Sequence, residues 1–326
     1  MNRHPSVHLH HLTGDNSWLI AFIDDENSVT LLLDPWFTEP DVQVHRLWLR
    51  QAHPTSKQPQ FSDFQSLKEF LAAQNRQVDG IIITFGYSDH LHRPTIDGVD
   101  EDVPFFAFRR AAKILRTWGR KHVHEIEKEP ASMGIVERIV EADNRANRVS
   151  RRSFLEKLDV RLSFLPTTAP FWEDFAQGYL HGSLTFVFSK LDSSEGKGAI
   201  IYSPHGTPVE DLKTWTTRRK SEDLELFALV AGWNVVKMPW LLGGVINFGS
   251  PKNVEVVQLL SPRYWLRTHD EITTMSGFVS MVLKRELWTK ERVESETRMF
   301  GSRTKVLDME PGETLALPLA FNHAEY

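Results

Sequence analysis

The stretch Ile81-Ile-Ile-Thr-Phe-Gly-Tyr-Ser-Asp-His-Leu-His92 carries the strongest structural and chemical signal in the chain. Its apolar start predicts a buried strand, and the polar residues that follow predict a loop presenting Asp89, His90 and His92. Loops at strand ends are where a rigid sheet positions functional side chains. Imidazoles and carboxylates are the ligands of hydrolytic metal sites. The stretch therefore predicts a sheet whose edge carries a metal site.

Three later histidines stand at similar positions beside predicted strands. His181 precedes an apolar run that begins at Leu184, His205 follows Ala-Ile-Ile-Tyr-Ser-Pro, and His269 follows Tyr-Trp-Leu-Arg-Thr. A single histidine at a strand end is more often a surface or hydrogen-bonded residue than a metal ligand. Because the same pattern occurs four times, we expect these histidines to share one site.

Composition limits the class of protein. The 326 residues include 41% hydrophobic residues, with 20 Phe and 10 Trp, which is enough for one large core, so we predict a single domain over 1–326. A charged stretch near 120–158 is predicted to be a surface insertion. The chain has no cysteine, which excludes disulfides, thiolate nucleophiles and cysteine-ligated zinc.

Charge and hydropathy bear on partners and location. The net charge of −5 argues against nucleic acid as a partner. The first residues lack the apolar core of a signal peptide, and we find no stretch of about 20 apolar residues that could span a bilayer. We therefore predict a cytoplasmic protein with a small-molecule substrate; the sequence does not indicate its oligomeric state.

The order of predicted elements favours an α/β fold of two packed mixed sheets with outer helices. Two strands around a polar turn over 17–34 predict a hairpin. The aromatic-rich segment at 169–175 is compatible with a pocket wall or with core. Helices are predicted at 109–118, at 221–231 and after 251. One long amphipathic helix is predicted at 277–297.

Several segments resemble the metallo-β-lactamase superfamily over nearly the whole chain, roughly residues 10–320. They are Ser-Trp-Leu-Ile followed by Leu-Leu-Asp34-Pro-Trp-Phe, Val103-Pro-Phe-Phe-Ala with its helix, and the stretch at 251–270. They resemble most the branch with ascorbate-phosphate lactonases and N-acyl-phosphatidylethanolamine phospholipases. The resemblance implies a four-layer αββα sandwich of two mixed β-sheets.

The resemblance also implies a ligand set, with one departure from the family motif Thr/Ser-His-x-His-x-Asp-His. The two histidines of the first metal site would fall at Phe85 and Tyr87, so only His181 of that site remains. The second site maps to the ligands Asp89, His90, His205 and His269. Related sequences with a Ser-His-Gly-x-x-Asp-His-x-His motif add His92 as a further candidate.

His205 stands where the family commonly has an aspartate that bridges two ions. Because an imidazole nitrogen donates to one ion, this change suits a site with a single divalent ion. Zinc is expected, with iron or manganese as alternatives. Such an ion would polarise a carbonyl or phosphoryl oxygen, and Asp89, Tyr87 and His181 are the candidate catalytic residues.

Three functions fit this reading. The first is a hydrolase of an ester, lactone or phosphoester small molecule with one metal ion. The second is a metal-dependent lyase or isomerase of secondary metabolism. The third is a non-catalytic binding protein with the metallo-β-lactamase fold, which the loss of the His-x-His pair favours and the persistence of Asp89, His90, His205 and His269 disfavours.

Overall fold

In a computed structural model of the chain, two seven-stranded sheets pack face to face, with helices on both outer sides. The structure describes residues 5–24, 27–37, 40–43, 45–54, 56–142, 154–167, 180–190 and 196–318. No helix among these residues is long and apolar enough to cross a membrane. The predicted α/β sandwich of two mixed sheets is confirmed.

The first sheet contains the predicted hairpin and the strand that opens the motif. Its strands, in spatial order, are β20 (Thr314–Pro318), β1 (Ser6–His11), β2 (Trp18–Asp24), β3 (Asn27–Leu33), β6 (Gly80–Ile83), β7 (Phe105–Ala107) and β8 (Val123–Glu125). The hairpin of β2 and β3 is antiparallel, whereas β3, β6, β7 and β8 run parallel. The carboxyl ends of β3 and β6 therefore meet at one edge of the sheet.

The second sheet carries the later histidines. Its strands, in spatial order, are β19 (Lys305–Leu307), β16 (Tyr264–Leu266), β13 (Leu224–Ala231), β12 (Lys197–Ser203), β11 (Ser183–Lys190), β10 (Leu158–Leu165) and β9 (Met133–Gly134). Strands β12, β13, β16 and β19 are parallel. The loops after β12 and β16 consequently leave the sheet at the same edge.

Two three-stranded sheets lie outside the sandwich. One has the order β15 (Val245–Asn247), β14 (Val235–Lys237), β18 (Lys284–Glu286), and the other β17 (Thr274–Ser276), β5 (Leu49–Ala52), β4 (Asp41–Gln43). We call these two the accessory sheets. Their strands are short, so each depends on packing against the rest of the protein for its stability.

Helices cover both faces of the sandwich. They are α1 (Phe64–Ala72), α2 (Arg93–Asp97), α3 (Arg109–Thr117), α4 (Val136–Ala142), α5 (Lys213–Ser221), α6 (Gly249–Leu260), α7 (Phe278–Val282) and α8 (Lys290–Met299), with 3₁₀ helices at Val209–Leu212 and Trp240–Leu242. Apolar residues of α1 and α3 pack on the first sheet, and those of α5, α6 and α8 pack on the second. A third cluster, between the two sheets, contains Phe22, Leu31, Phe186 and Phe227.

Two predicted helices are wrong, for different reasons. Residues 224–231 form β13, an interior strand of the second sheet, because an apolar run of this length suits a strand buried on both faces as well as a helix. The predicted helix at 277–297 is interrupted by β18, whose backbone pairs with β14. Sheet pairing with a distant segment therefore overrides the helical periodicity there.

The charged stretch predicted as a surface insertion contributes to both sheets where it is described. Residues 123–125 form β8, residues 133–134 form β9, and Ile139 of α4 is buried. Its residues 143–153, which include most of the arginines, lie outside the described part of the chain. The boundaries of the domain stay a prediction.

We expect Gly249→Ala to destabilise the fold by at least about 2 kcal/mol. Gly249 opens α6 with φ +63°, and a Cβ built there would lie 2.6 Å from the backbone carbon and oxygen of Asn234. An L side chain is disfavoured at this φ, and backbone atoms leave it no room. The free energy of unfolding in denaturant measures the loss.

Gly134→Ala is the matched control, because a Cβ there meets no atom within 4 Å. We expect its free energy of unfolding to stay within about 0.5 kcal/mol of the unmodified protein. Equal stability of the two variants would contradict the close approach of Gly249 to Asn234.

Candidate metal centre

The loops that leave β6, β12 and β16 bring His90, His205 and His269 together. One ring nitrogen of each histidine lies within 4.8 Å of the others. Among the residues that the structure describes, this is the group of three or more histidine or carboxylate side chains close enough to hold an ion. Three of the five predicted metal ligands, His90, His205 and His269, therefore converge directly, and Asp89 lies beside them.

His90 is held by an aspartate at the end of β3. Asp34 adopts φ 43°, and its Oδ2 accepts a hydrogen bond from His90 Nδ1 at 2.8 Å. The same carboxylate accepts hydrogen bonds from the backbone N–H and the hydroxyl of Thr84, at 2.8 and 2.5 Å. Because the side chains of Asp34 and His90 are fully buried, this network fixes the direction of the imidazole.

His205 is held by an amide from an accessory sheet. Its Nδ1 lies 2.7 Å from Oδ1 of Asn247, the last residue of β15, and its carbonyl accepts the backbone N–H of Phe248. The amide of Asn247 also reaches the carbonyl of His269 at 3.4 Å. One asparagine therefore connects the two histidines of the second sheet.

His269 is held by the loop between β1 and β2. Its backbone N–H donates to the carbonyl of Asp15, and its Nδ1 lies 2.8 Å from Oδ1 of the same residue. This double contact accompanies a left-handed backbone at His269, with φ 58°. The next residue of the loop, Asn16, donates to the carbonyl of Asp89 at 2.9 Å. The β1–β2 loop thereby positions residues from both sheets.

The three histidines share one arrangement that fits a divalent cation. Each Nδ1 faces an acceptor, so the ring hydrogen lies on Nδ1. Nε2 then keeps a lone pair that can bind an ion. The Nε2 atoms of His90 and His205 lie only 3.1 Å apart. Two nitrogens bound to one tetrahedral ion lie roughly 3.3 Å apart, given bonds of about 2.0–2.1 Å. Metal-ligating histidines in proteins are typically oriented through the second ring nitrogen in this way.

The surroundings shift the pKa values of two of the histidines in opposite directions. Burial lowers the pKa of His269, but the charge and hydrogen bond of Asp15, together with Asp89, outweigh burial and raise it to about 9. Burial and the charges of His269 and His90 lower the pKa of His205 well below its ordinary value. One histidine thus attracts a proton and its neighbour presents a neutral imidazole, and a cation that binds here would displace that proton.

Phe85 stands against this group on the core side. Its ring packs edge-on against His90 and His205, with centroids 4.9 and 5.1 Å apart, and against Phe108 at 5.7 Å. The ring is buried. An apolar side chain therefore fills the place where the family resemblance implies a histidine of a first metal site. This packing supports a site for one ion instead of two.

Asp89 and Tyr87 lie on the other side of the group, along a cleft. The cleft has a volume of about 520 Å³, and its lining includes Tyr87, Asp89, His205 and His269. Asp89 Oδ2 is 4.0 Å from His269 Nε2. Burial raises the pKa of Tyr87, and the guanidinium of Arg110 lies 5.3 Å from its ring centre. Two of the three predicted catalytic residues, Asp89 and Tyr87, thus border the space beside the histidines.

His92 and His181 lie outside the converging group. His92 Nδ1 is 2.9 Å from the Thr95 hydroxyl at the start of α2, and burial lowers its pKa to about 4. His181 stacks on Phe248 and donates from Nε2 to the carbonyl of Val245, while its buried Nδ1 has no partner among the described atoms. The aromatic segment at 169–175 lies outside the described residues.

Sequence reasoning missed the residues that orient the histidines: Asp15, Asp34 and Asn247. Asp34 carried a signal, since an aspartate follows the apolar run of β3. Asp15 lies in the loop between β1 and β2, and Asn247 ends the short strand β15, and no sequence motif marks either residue. Their roles depend on contacts with residues 42 or more positions away, which a sequence pattern does not encode.

We expect the protein to bind about one divalent ion per chain, and His205→Ala or His269→Ala to weaken binding at least about 100-fold. Asp34→Asn should weaken it by roughly 10- to 100-fold, because the orienting carboxylate of His90 is lost. Equilibrium dialysis followed by elemental analysis, with zinc, iron and manganese in turn, measures this. His122→Ala, at an exposed position, should bind as the unmodified protein does.

Comparison with known proteins agrees with this fold. No protein-family model and no curated protein matches the sequence. Among solved structures, the chain is similar to an isothiocyanate hydrolase from Delia radicum gut bacteria, with a TM-score of 0.57, 15% identity, and coverage of 96% of this chain and 99% of that one. A protein from Veillonella parvula described as a possible metal-dependent hydrolase has a TM-score of 0.57, 13% identity, and coverage of 96% and 99%.

The novel metallo hydrolase Igni18 from the archaeon Ignicoccus hospitalis is also similar, with a TM-score of 0.52, 13% identity, and coverage of 96% of this chain and 98% of that one. At these identities the likeness concerns the fold. Together with the two mixed sheets and their outer helices, it shows that the chain shares the fold of these structures, the αββα sandwich that its sequence predicts.

Proposed function

We propose that the protein is a metal-dependent hydrolase that uses one divalent ion to cleave an ester, lactone or phosphoester bond in a small molecule. The observation that supports this most is the convergence of His90, His205 and His269, each with its Nδ1 bound to an acceptor. Three imidazoles that leave a side open to a cleft are typical of catalytic rather than structural sites. Zinc is the ion that we expect.

The three histidines would hold the ion. When bound, a divalent ion supplies Lewis-acid polarisation of a carbonyl or phosphoryl oxygen. The chain supplies rigidity: the acceptors Asp34, Asn247 and Asp15 are buried, so the imidazoles are positioned before a substrate arrives.

Asp89 is proposed as the general base. It lies on the cleft side of the group, and its Oδ2 is 4.0 Å from Nε2 of His269. A carboxylate there can accept a proton from the attacking water and return it to the oxygen of the leaving group. The bond from water to carbon or phosphorus forms as the bond to the leaving oxygen breaks.

Tyr87 is proposed as a hydrogen-bond donor to the oxygen that gains negative charge. It lines the same cleft as Asp89, and the guanidinium of Arg110 lies over its ring. A phenol donor in a partly buried site stabilises developing charge more than it would in water. His92 and His181 are left outside this mechanism, because other contacts engage their rings.

The cleft is suited to an organic small molecule. Most of its lining is apolar, with a few polar groups near the histidines, as in many ligand sites. The similar structures include named hydrolases, which supports hydrolysis as a reaction class. The isothiocyanate in the name of the first similar structure is the substrate of that protein alone.

We expect Asp89→Asn to lower kcat/KM at least about 100-fold while metal content stays unchanged, because the base is lost and the three histidines remain. The measurement is hydrolysis of an ester, lactone and phosphodiester panel by metal-loaded protein, with elemental analysis of the same samples. Asp97→Asn, at an exposed position on α2, is the matched control and should keep full activity.

The outcomes separate the alternatives. Loss of metal from Asp89→Asn would make Asp89 a ligand and contradict its role as base. A metal-loaded protein that hydrolyses nothing in the panel would contradict hydrolysis of these bonds and favour the lyase or isomerase alternative. A protein that binds no ion under any condition would contradict both the hydrolase proposal and the lyase or isomerase alternative.

A further inference from the structure

The recognition surface of the cleft is built largely by the accessory sheets. Apolar lining comes from Val236 of β14, Ile246 of β15, Met275 of β17, and Trp48, which directly precedes β5. The helix α7, which joins β17 to β18, adds Val279. These segments lie outside the sandwich, so they shape what enters the cleft while the sandwich holds the histidines. An apolar wall of this extent fits a hydrocarbon chain.

One cation is built into this wall. Arg285 of β18 lines the cleft and is partly buried. Its guanidinium has two neutral contacts: Nη2 lies 3.3 Å from the Thr273 hydroxyl and 3.3 Å from the sulfur of Met275. Among the described residues, no carboxylate lies within ion-pair distance of it. Neutral neighbours fix the guanidinium in place but do not neutralise it.

Asp15 and Asp270, the two carboxylates that attract Arg285 electrostatically, are engaged by other groups. Asp15 is hydrogen-bonded to His269, and Asp270 accepts hydrogen bonds from the backbone of Trp233 and Asn234 and from Arg267. Burial lowers the pKa of Arg285, and Asp15 and Asp270 counter this only through longer-range attraction. Arginine stays charged at neutral pH, so the cleft holds a partly desolvated cation with unused donors.

A partly buried arginine with unused donors is well suited to a planar or tetrahedral oxyanion. Arg110 is the other arginine of the described lining, and its guanidinium lies over the Tyr87 ring. Arg285 belongs to the wall that carries the apolar residues. A ligand whose anionic group binds Arg285 would therefore place its apolar hydrocarbon chain along this wall.

We infer that the cleft binds an amphiphilic substrate, with an apolar chain along the accessory sheets and a carboxylate or phosphate at Arg285. This inference rests on the proposed function, since it names the substrate class of the same site. Arg285 is the specificity-determining residue in it and takes no part in bond cleavage.

The test is calorimetric titration of metal-free protein with single-chain probes below their micelle-forming concentrations. Metal-free protein is used first because a carboxylate could otherwise contact the ion. We expect decanoate or decyl phosphate to bind at least about tenfold more tightly than decanol or decyltrimethylammonium. Acetate and inorganic phosphate, which lack the chain, should bind more weakly than their decyl counterparts by at least about tenfold.

Substitutions assign the anion to its residue. Arg285→Met should remove the preference for the anionic probes and leave the affinity for decanol unchanged. Arg285→Lys should keep part of the preference for the anionic probes. Arg298→Met, which removes an exposed arginine of α8, is the matched control and should bind as the unmodified protein does. The tighter of decanoate and decyl phosphate identifies the anionic group.

Equal affinity for the anionic, neutral and cationic decyl probes would overturn the inference, and this comparison needs no variant. An anion preference that survives Arg285→Met in a folded protein would also overturn it. Because these titrations require neither metal nor turnover, a failure here is distinct from a failure of the hydrolase proposal. The same titration on metal-loaded protein then reports whether the ion adds to the affinity.

Discussion

The hydrogen bond from Nδ1 of each clustered histidine to a buried acceptor is the interaction on which the site depends. Asp34, Asn247 and Asp15 come from three different segments of the chain, and each accepts from one imidazole at 2.7–2.8 Å. Without these acceptors, each imidazole would be free to rotate or to change tautomer. With them, the rings are held so that one nitrogen of each lies within 4.8 Å of the others.

The same interaction holds the three histidines in place beside an altered motif. Phe85 contributes an apolar ring to the core between the sheets and contacts His90 and His205 edge-on. The ring closes the core side of the group, and the cleft opens on the side of Asp89. An imidazole at position 205 suits the single ion that we propose, because it can bind one ion while the amide of Asn247 orients it. The changes at Phe85 and His205 are therefore mutually consistent.

The architecture separates two tasks. Parallel strands of the two large sheets place His90, His205 and His269 at one edge, where rigid backbone holds them. The accessory sheets supply apolar lining and Arg285. Asn247 connects the two parts, since it ends a strand of an accessory sheet and orients His205. Changes in the accessory sheets can thus alter what is bound without rebuilding the metal centre.

The sequence by itself determined the fold class and the histidines that converge. Apolar runs followed by polar loops mark strand ends, and parallel strands bring such ends to one edge, so His90, His205 and His269 were predictable. Only the tertiary structure decided that His92 and His181 point elsewhere, that β13 and β18 are strands, and that Asp15, Asp34 and Asn247 orient the imidazoles. The physical reason is the sequence separation of the residues involved. Hydrophobic periodicity indicates which residues of one segment are buried, whereas ring orientation and strand pairing depend on partners far away in the chain.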